Sequence, residues 1–216
     1  MSFRSAALLL GTFSLAGNTV GADGAIDACN VEIEGATVLM SAEEVAAEWS
    51  SRGYVNTPPA IRSRGRSTQD PSKTVSYKTA DNLPNDRFIA GLGWVDSTQP
   101  QLYGGQAYYT ISTTYHPPAN EPDLAAYKQF LRNEITSWCQ WAAPVVKDQE
   151  GGGPKLARLL CGQVLAGEFM TAANDIPIYH SYAAAVQTWN GCNWTIGSDN
   201  QGRLSVSVTG PLQLAE

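Results

Sequence analysis

Histidine and positive charge are scarce in this chain. Its 216 residues hold 2 histidines, and 14 lysines and arginines stand against 20 aspartates and glutamates, a net charge of −6. A mildly acidic chain lacks the basic footprint that nucleic acid requires, and an anionic membrane surface does not attract it. Several chemistries are missing as motifs. The three glycines Gly151 to Gly153 are not followed by Gly-Lys-Ser/Thr, so a phosphate-cradling loop is excluded. No serine sits in a Gly-x-Ser-x-Gly elbow. No Cys-x-x-Cys pair is present, which argues against zinc and thiol redox chemistry. Asp199 to Gly202 is too short for a calcium loop. No cofactor or metal is expected. After the first residues, no run is apolar enough to cross a bilayer.

What is present begins with those first residues. Arg4, the apolar run Ala6 to Ala16 and the small residues Val20-Gly21-Ala22 have the layout of a secretory signal peptide, residues 1–22. Its removal leaves 216 − 22 = 194 residues and, with Arg4 gone, a charge of −7. A secreted or periplasmic protein is expected, with no transmembrane segment after cleavage. Ile26-Asp27-Ala28-Cys29 faintly resembles a lipoprotein cleavage box, but Asp27 and the gap from the apolar run speak against it. Four cysteines, Cys29, Cys139, Cys161 and Cys192, form an even set that suits two disulfides in an exported chain. Three pairings exist. Cys161–Cys192 with Cys29–Cys139 is preferred because it ties the mature N-terminus to the second half. Asn193-Trp194-Thr195 is a glycosylation sequon, meaningful in a eukaryotic source.

The clearest local signal is Met40 to Gly53. Ser41 with Glu44 three residues on is a capping box, Val45 and Trp49 share one helical face, and Gly53 suits a left-handed C-terminal cap. Asn30 to Val38 reads as a strand before this helix, with Val31, Ile33 and Val38 as its apolar members and Glu32 and Glu34 pointing the other way, towards water. Residues 60–73 read as a polar loop carrying Arg62, Arg64 and Arg66. Thr74 to Lys78 is a brief strand. Arg87 to Val95 and Gln106 to Tyr115 alternate as half-wet antiparallel strands. Asn120 caps a second helix, marked by Leu124, Tyr127, Leu131, Ile135 and Trp138, that runs to about Trp141 and stops before Pro144. Residues 149–154 read as a mobile loop. Leu156 to Met170 and Ile176 to Gln187 are ambiguous. Trp194, Ile196, a turn at 199–202 and Leu204, Val206, Val208 form a hairpin. The layout is a single α+β domain, 23–216, mainly antiparallel sheet with two principal packed helices, disulfide-linked. It is compatible with two unequal halves, 23–118 and 119–216.

Val38-Leu39-Met40-Ser41-Ala42-Glu43-Glu44-Val45 through Arg52-Gly53-Tyr54 resembles the opening of exported bacterial helix-then-sheet proteins. These are the small BamE-type outer-membrane assembly lipoproteins and the β-lactamase-inhibitor-like proteins. The resemblance covers about fifteen residues and departs from the families at Leu39, where glycine is usual. It implies a binding or assembly module rather than an enzyme, and it carries over no site residues.

Candidate chemistry is sparse. His116 and His180 each follow a tyrosine and would serve a secreted hydrolase or metal-dependent enzyme as an imidazole pair, but no third ligand has characteristic spacing. Glu43 and Glu44 complement a helix dipole. A carboxylate pair drawn from separate elements could instead use Glu134, Glu150 or Glu168. Aromatics are more informative. Tyr108 and Tyr109 are strand neighbours and point to opposite faces, so one of them faces outward. An outward aromatic sheet face with the Arg62, Arg64 and Arg66 loop suits a protein or glycan partner. The expectation is an exported non-catalytic binding or envelope-associated protein whose partner is another exported or envelope protein, or a glycan.

Overall fold

The computed structural model describes residues 26–57, 67–78, 88–95, 107–118, 121–165, 179–180, 191–198 and 203–211. In chain order these give α1 (Ala42–Ser51), β1 (Val55–Asn56), β2 (Ser67–Lys78), β3 (Phe88–Val95), β4 (Ala107–Tyr115), α2 (Glu121–Val146), α3 (Gly152–Leu165), β5 (Tyr179–His180), β6 (Asn193–Ser198) and β7 (Leu204–Pro211). The strands form one sheet in the order β1-β2-β3-β4-β7-β6-β5, and every neighbouring pair is antiparallel. The fold is α+β, as the alternating strands and periodic helices imply. β4 pairs with β7 from Tyr108↔Pro211 to Tyr115↔Leu204. Strands from either side of residue 118 therefore share one sheet. Residues 1–22, expected as a signal peptide, Arg62, Arg64 and Arg66, expected on a loop, Asn120 and the turn expected at 199–202 lie outside the described residues.

Both α1 and α2 lie on the same sheet face. In α1 the capping box closes as its sequence dictates: the Glu44 N–H donates to Ser41 Oγ (3.2 Å) and the Ser41 N–H to Glu44 Oε2 (2.7 Å). Gly53 follows at φ 85°, where a side chain would be strained. Val45 and Trp49 are fully buried. The Trp49 ring packs 5.7 Å from both Tyr77 and Phe88, and its indole donates to the Ile33 carbonyl. In α2, Leu131, Ile135, Trp138 and Ala142 recur every three or four residues and are buried. The Trp138 indole donates to the Trp194 carbonyl of β6 (2.7 Å). Each large apolar side chain so buried stabilises by about 1.5–3 kcal/mol.

Several expectations are corrected. Asn30 to Val38 is no strand. Ala28–Asn30 is a 3-10 turn, and Ile33 and Ala36 exchange backbone hydrogen bonds around Glu34 (φ 50°) and Gly35 (φ 76°). Two successive positive φ values make a tight hairpin turn, and Glu-Gly supplies them readily only through its glycine. β2 starts at Ser67, earlier than Thr74, and its register with β3 slips between Gln69 and Thr74. Pro71 falls inside that slip, where no ladder donor is required of it. α2 continues past Pro144 to Val146. Pro144 faces solvent, and Arg158 of α3 donates to the carbonyls of Val146 (2.7 Å) and Gln149 (2.9 Å), capping the last turn. The glycines expected in a mobile loop are instead the start of α3, whose Pro154 sits in the first turn and so sacrifices no helical hydrogen bond.

The preferred disulfide pairing is also wrong. The bonds are Cys29–Cys192 and Cys139–Cys161. α2 and α3 are sequential neighbours that pack together, which brings Cys139 and Cys161 to a Cα separation of 5.3 Å. The N-terminal segment crosses β6 and β7, where Cys192 precedes β6. The segment around Cys29 is tied to the second half of the chain as expected, but through Cys192 rather than Cys139.

Candidate functional site

Two polar regions stand out against this core. The first is the sheet face turned away from α1 and α2. Register places Tyr108, Thr110, Ser112 and Thr114 of β4 there, with Thr209, Ser207 and Ser205 opposite on β7 and Asn193, Thr195 and Gly197 on β6. None of these residues is charged. Their side chains are half-buried, apart from the exposed Ser205. Hydroxyls pair across strands, Thr110 with Thr209 (2.9 Å) and Thr114 with Ser205 (3.3 Å), and Ser112 donates to the Ile89 carbonyl (3.4 Å). No described helix covers this face.

Tyr108 and Tyr109 separate as neighbours on a strand must. Tyr108 is half-buried on the hydroxyl face. Tyr109 is only 6% exposed and belongs to the core. Burial, with a smaller contribution from Glu43, pushes its phenol up to about 12. Tyr109 is therefore not a contact residue, contrary to its candidacy beside Tyr108.

The second region lies under the helices, on the side where the hairpin turn, α1, β4 and α2 meet. Glu34 is its centre. Its carboxylate accepts hydrogen bonds from the hydroxyls of Tyr54 (2.7 Å) and Tyr115 (3.0 Å). The Arg52 guanidinium lies 3.9 Å away and is itself bound to Glu48 at 2.7 Å. Burial alone would lower the Arg52 pKa, but the hydrogen bond and charge of Glu48, with Glu34, leave it raised. A Cβ on Gly35 would displace the flexible ends of the Arg52 and Glu48 side chains, and at φ 76° any other residue would be strained. Tyr54 stacks on Phe88 and Tyr115 meets Phe130 edge-on. The Tyr127 hydroxyl donates to the Tyr115 carbonyl.

Glu134, on the inner side of α2, faces this cluster. Burial first, and then the charge of Glu34, push its carboxyl up to about 7. Tyr115 is raised well above its ordinary value by burial, then by Glu34 and Glu134. The charges of two carboxyls from distant parts of the chain thus act on one tyrosine, which hydrogen-bonds Glu34. Sequence reading placed Glu34 on a solvent-facing strand side and left Glu134 as one of several carboxylates. The available signals were Gly35, which marks a turn, and the spacing of Glu134, three residues after Leu131 and four before Trp138 on a helix with a buried stripe.

The histidine pair is not assembled. His116 follows β4, and its Nε2 is buried without a hydrogen-bond partner among the described residues. His180 is on β5, and β7 and β6 lie between β5 and β4. At about 4.8 Å per strand, that is roughly 14 Å across the sheet. Among the described residues no cluster of three or more His, Cys, Asp or Glu side chains is arranged to hold a metal. Of the other carboxylates considered, Glu150 is exposed after α2 and Glu168 lies outside the described residues. No described helix is long and apolar enough to cross a membrane. Compared with family models, curated proteins and solved structures, the chain matches none.

Proposed function

We propose that this chain is an exported, non-catalytic binding protein, secreted or periplasmic. It engages another exported or envelope protein, or a glycan, through the hydroxyl face around Tyr108. The observation that carries this reading is the composition of that face: Tyr, Thr, Ser, Asn and Gly, with no charge on the paired stretches of β4, β7 and β6. Such side chains give adaptable hydrogen bonding and rigid aromatic contact at little entropic cost, the composition that recognition loops of binding proteins favour. An uncharged face also spares a partner the desolvation of ions. The two disulfides support an oxidising compartment. The BamE-type opening fits an assembly or binding role. Arg62, Arg64 and Arg66 add an acidic-partner contact in the same proposal.

The test uses the mature, oxidised protein. Its partner is sought in the exported fraction of the producing organism and on a glycan array. Binding is then measured with Thr110→Arg/Ser207→Arg, with Tyr108→Ala, and with alanine at the three arginines. The face variants should lose affinity at least tenfold while melting as the parent does. Full affinity in the double-arginine variant removes this face from the proposal.

A further inference from the structure

β3 adds a second feature to the hydroxyl face. Its outward positions Ile89, Gly91 and Gly93 lie beside Ser112, Thr110 and Tyr108 of β4. Two glycines at alternate positions leave that side of β3 without side chains for about 7 Å along the strand, a trough one side chain deep. Glycine weakens a strand interior and marks places where a ligand or another backbone comes close. On the far side of the trough the register of β2 slips, between Gln69 opposite Gly93 and Thr74 opposite Gly91. Irregularities of this kind recur beside binding sites. Tyr108 stands half-buried next to Gly93.

The face is also neutral where charge is ordinarily found. Charged residues make up 16% of the chain, and solvent-facing surfaces usually carry about 25–35%. Yet no outward position on the paired stretches of β3, β4, β7 and β6 is charged. Lys78 shares this side but stands at the far end of β2, paired with Val55 of β1.

We propose that the ligand of the hydroxyl face is a neutral polysaccharide, one extended chain of which lies in the β3 trough against Tyr108. This rests on the binding reading and names its ligand class. A sugar ring has an apolar C–H face and a rim of hydroxyls. The flat phenol of Tyr108 suits the first, with little entropy lost on contact. The serine and threonine rows suit the second. Each such hydroxyl has one hydrogen to give and two lone pairs to accept with. In the Thr110–Thr209 pair (2.9 Å) one hydrogen is used within the pair, which leaves the other for a ligand. Sugar hydroxyls have the same double character, so each contact can form in either sense. The rows repeat about every 4.8 Å across the strands and 6.8 Å along them, so a polymer of like units meets the same chemistry at successive steps. An acidic polysaccharide would bring anions onto a face with no cation to receive them, at a desolvation cost without return. A folded protein would bring a polar, charged rim, which a narrow neutral trough does not match.

Native electrophoresis of the intact oxidised protein tests this, through gels that contain a neutral β-glucan, xyloglucan, galactomannan or α-glucan, or polygalacturonate and dextran sulfate as acidic controls. At least one neutral polymer should retard the protein and neither acidic polymer should. Tyr108→Ala should weaken binding at least about tenfold, whereas Tyr108→Phe, which keeps the ring, should stay close to the parent. Gly91→Val, which fills the trough, should lose binding as Tyr108→Ala does. If that variant does not fold, the Tyr108 pair decides. Alanine at Arg62, Arg64 and Arg66 should leave retardation unchanged. Equal or stronger retardation by the acidic polymers, or its loss in the triple alanine variant, overturns the proposal. So does retardation that Tyr108→Ala leaves intact. Retardation by none of the neutral polymers overturns it as well. In that last case a protein partner released by Thr110→Arg/Ser207→Arg leaves the binding reading standing, and a partner indifferent to that variant removes both.

Discussion

The helical face of the sheet has two ends built on opposite principles. At the β6 end, Trp138, Trp141 and Trp194 pack within 6.2–6.5 Å ring to ring, beside the Cys139–Cys161 bond. At the β3–β4 end, aromatic rings are equally dense, yet Tyr54 and Tyr115 turn their hydroxyls inward onto Glu34, with Glu134 close by. The tryptophan end is indifferent to pH, because neither its indoles nor its disulfide titrates. The tyrosine end depends on pH through Glu134, whose carboxyl burial pushes up to about 7. A phenol gives almost the apolar area of a phenylalanine and also a donor that a buried carboxylate needs. The same aromatic content therefore makes a passive core at one end and a conditional one at the other.

The largest effect should come from the bond that holds the N-terminal segment, which carries Glu34, against β6 and β7. Cys29 and Cys192 are 163 residues apart, and closing so long a loop is worth about 5 kcal/mol in chain entropy. Serine at both positions should lower the denaturation free energy by an amount near that, read by guanidinium titration. A loss below about 1 kcal/mol would mean that the N-terminal segment is held by its packing alone. Next is Trp138→Ala. Trp138 is fully buried and also donates to the Trp194 carbonyl, so truncation should cost about 4 kcal/mol. This cost should be equal at pH 5 and pH 8. A pH-dependent cost would break the contrast between the two ends.

The third effect is specific to the tyrosine end. A shift from 4.5 to about 7 is equivalent to roughly 3 kcal/mol, an upper figure, present at low pH and missing at high pH. Glu134→Leu should therefore stabilise the chain at pH 8 by up to that amount relative to the parent, and by much less at pH 4.5. The difference in denaturation midpoint at the two pH values measures it. Equal midpoint shifts at both would show that the leucine acts by packing alone.

These contrasts were unevenly legible in the sequence. α1, β3, β4 and the β6–β7 hairpin could be read directly, because a capping box and strict alternation are local signals. α2 was readable in its interior but not at its end. Pro144 normally stops a helix, and the Arg158 side chain that sustains the last turn comes from α3, which was not recognised. The glycines at 151–153 masked the start of α3, where first-turn residues need no intrahelical donor. Disulfide pairing failed because it is a property of which elements lie side by side. The Glu34–Glu134 cluster failed for the same reason: 100 residues separate the two (134 − 34), and no periodicity connects a turn to a helix interior. Glu34 was assigned to water on strand alternation, and the turn at Gly35 reversed its side.

The smallest effect separates the two tyrosines. Tyr54→Phe and Tyr115→Phe each remove one hydroxyl from Glu34 while keeping the ring stack on Phe88 or the edge contact with Phe130. A hydrogen bond to a charged acceptor is worth about 1.5–3 kcal/mol, and the accessible Arg52 limits the loss by remaining beside the carboxylate. Each variant should cost about 1–2 kcal/mol by denaturation at pH 7. The two losses should not add. Once one donor is gone, Glu34 is poorly solvated and leans more on the other, so the double variant should cost more than the sum. Strict additivity would mean that the two phenols do not act through a common carboxylate. The tyrosine end would then be passive, like the tryptophan one.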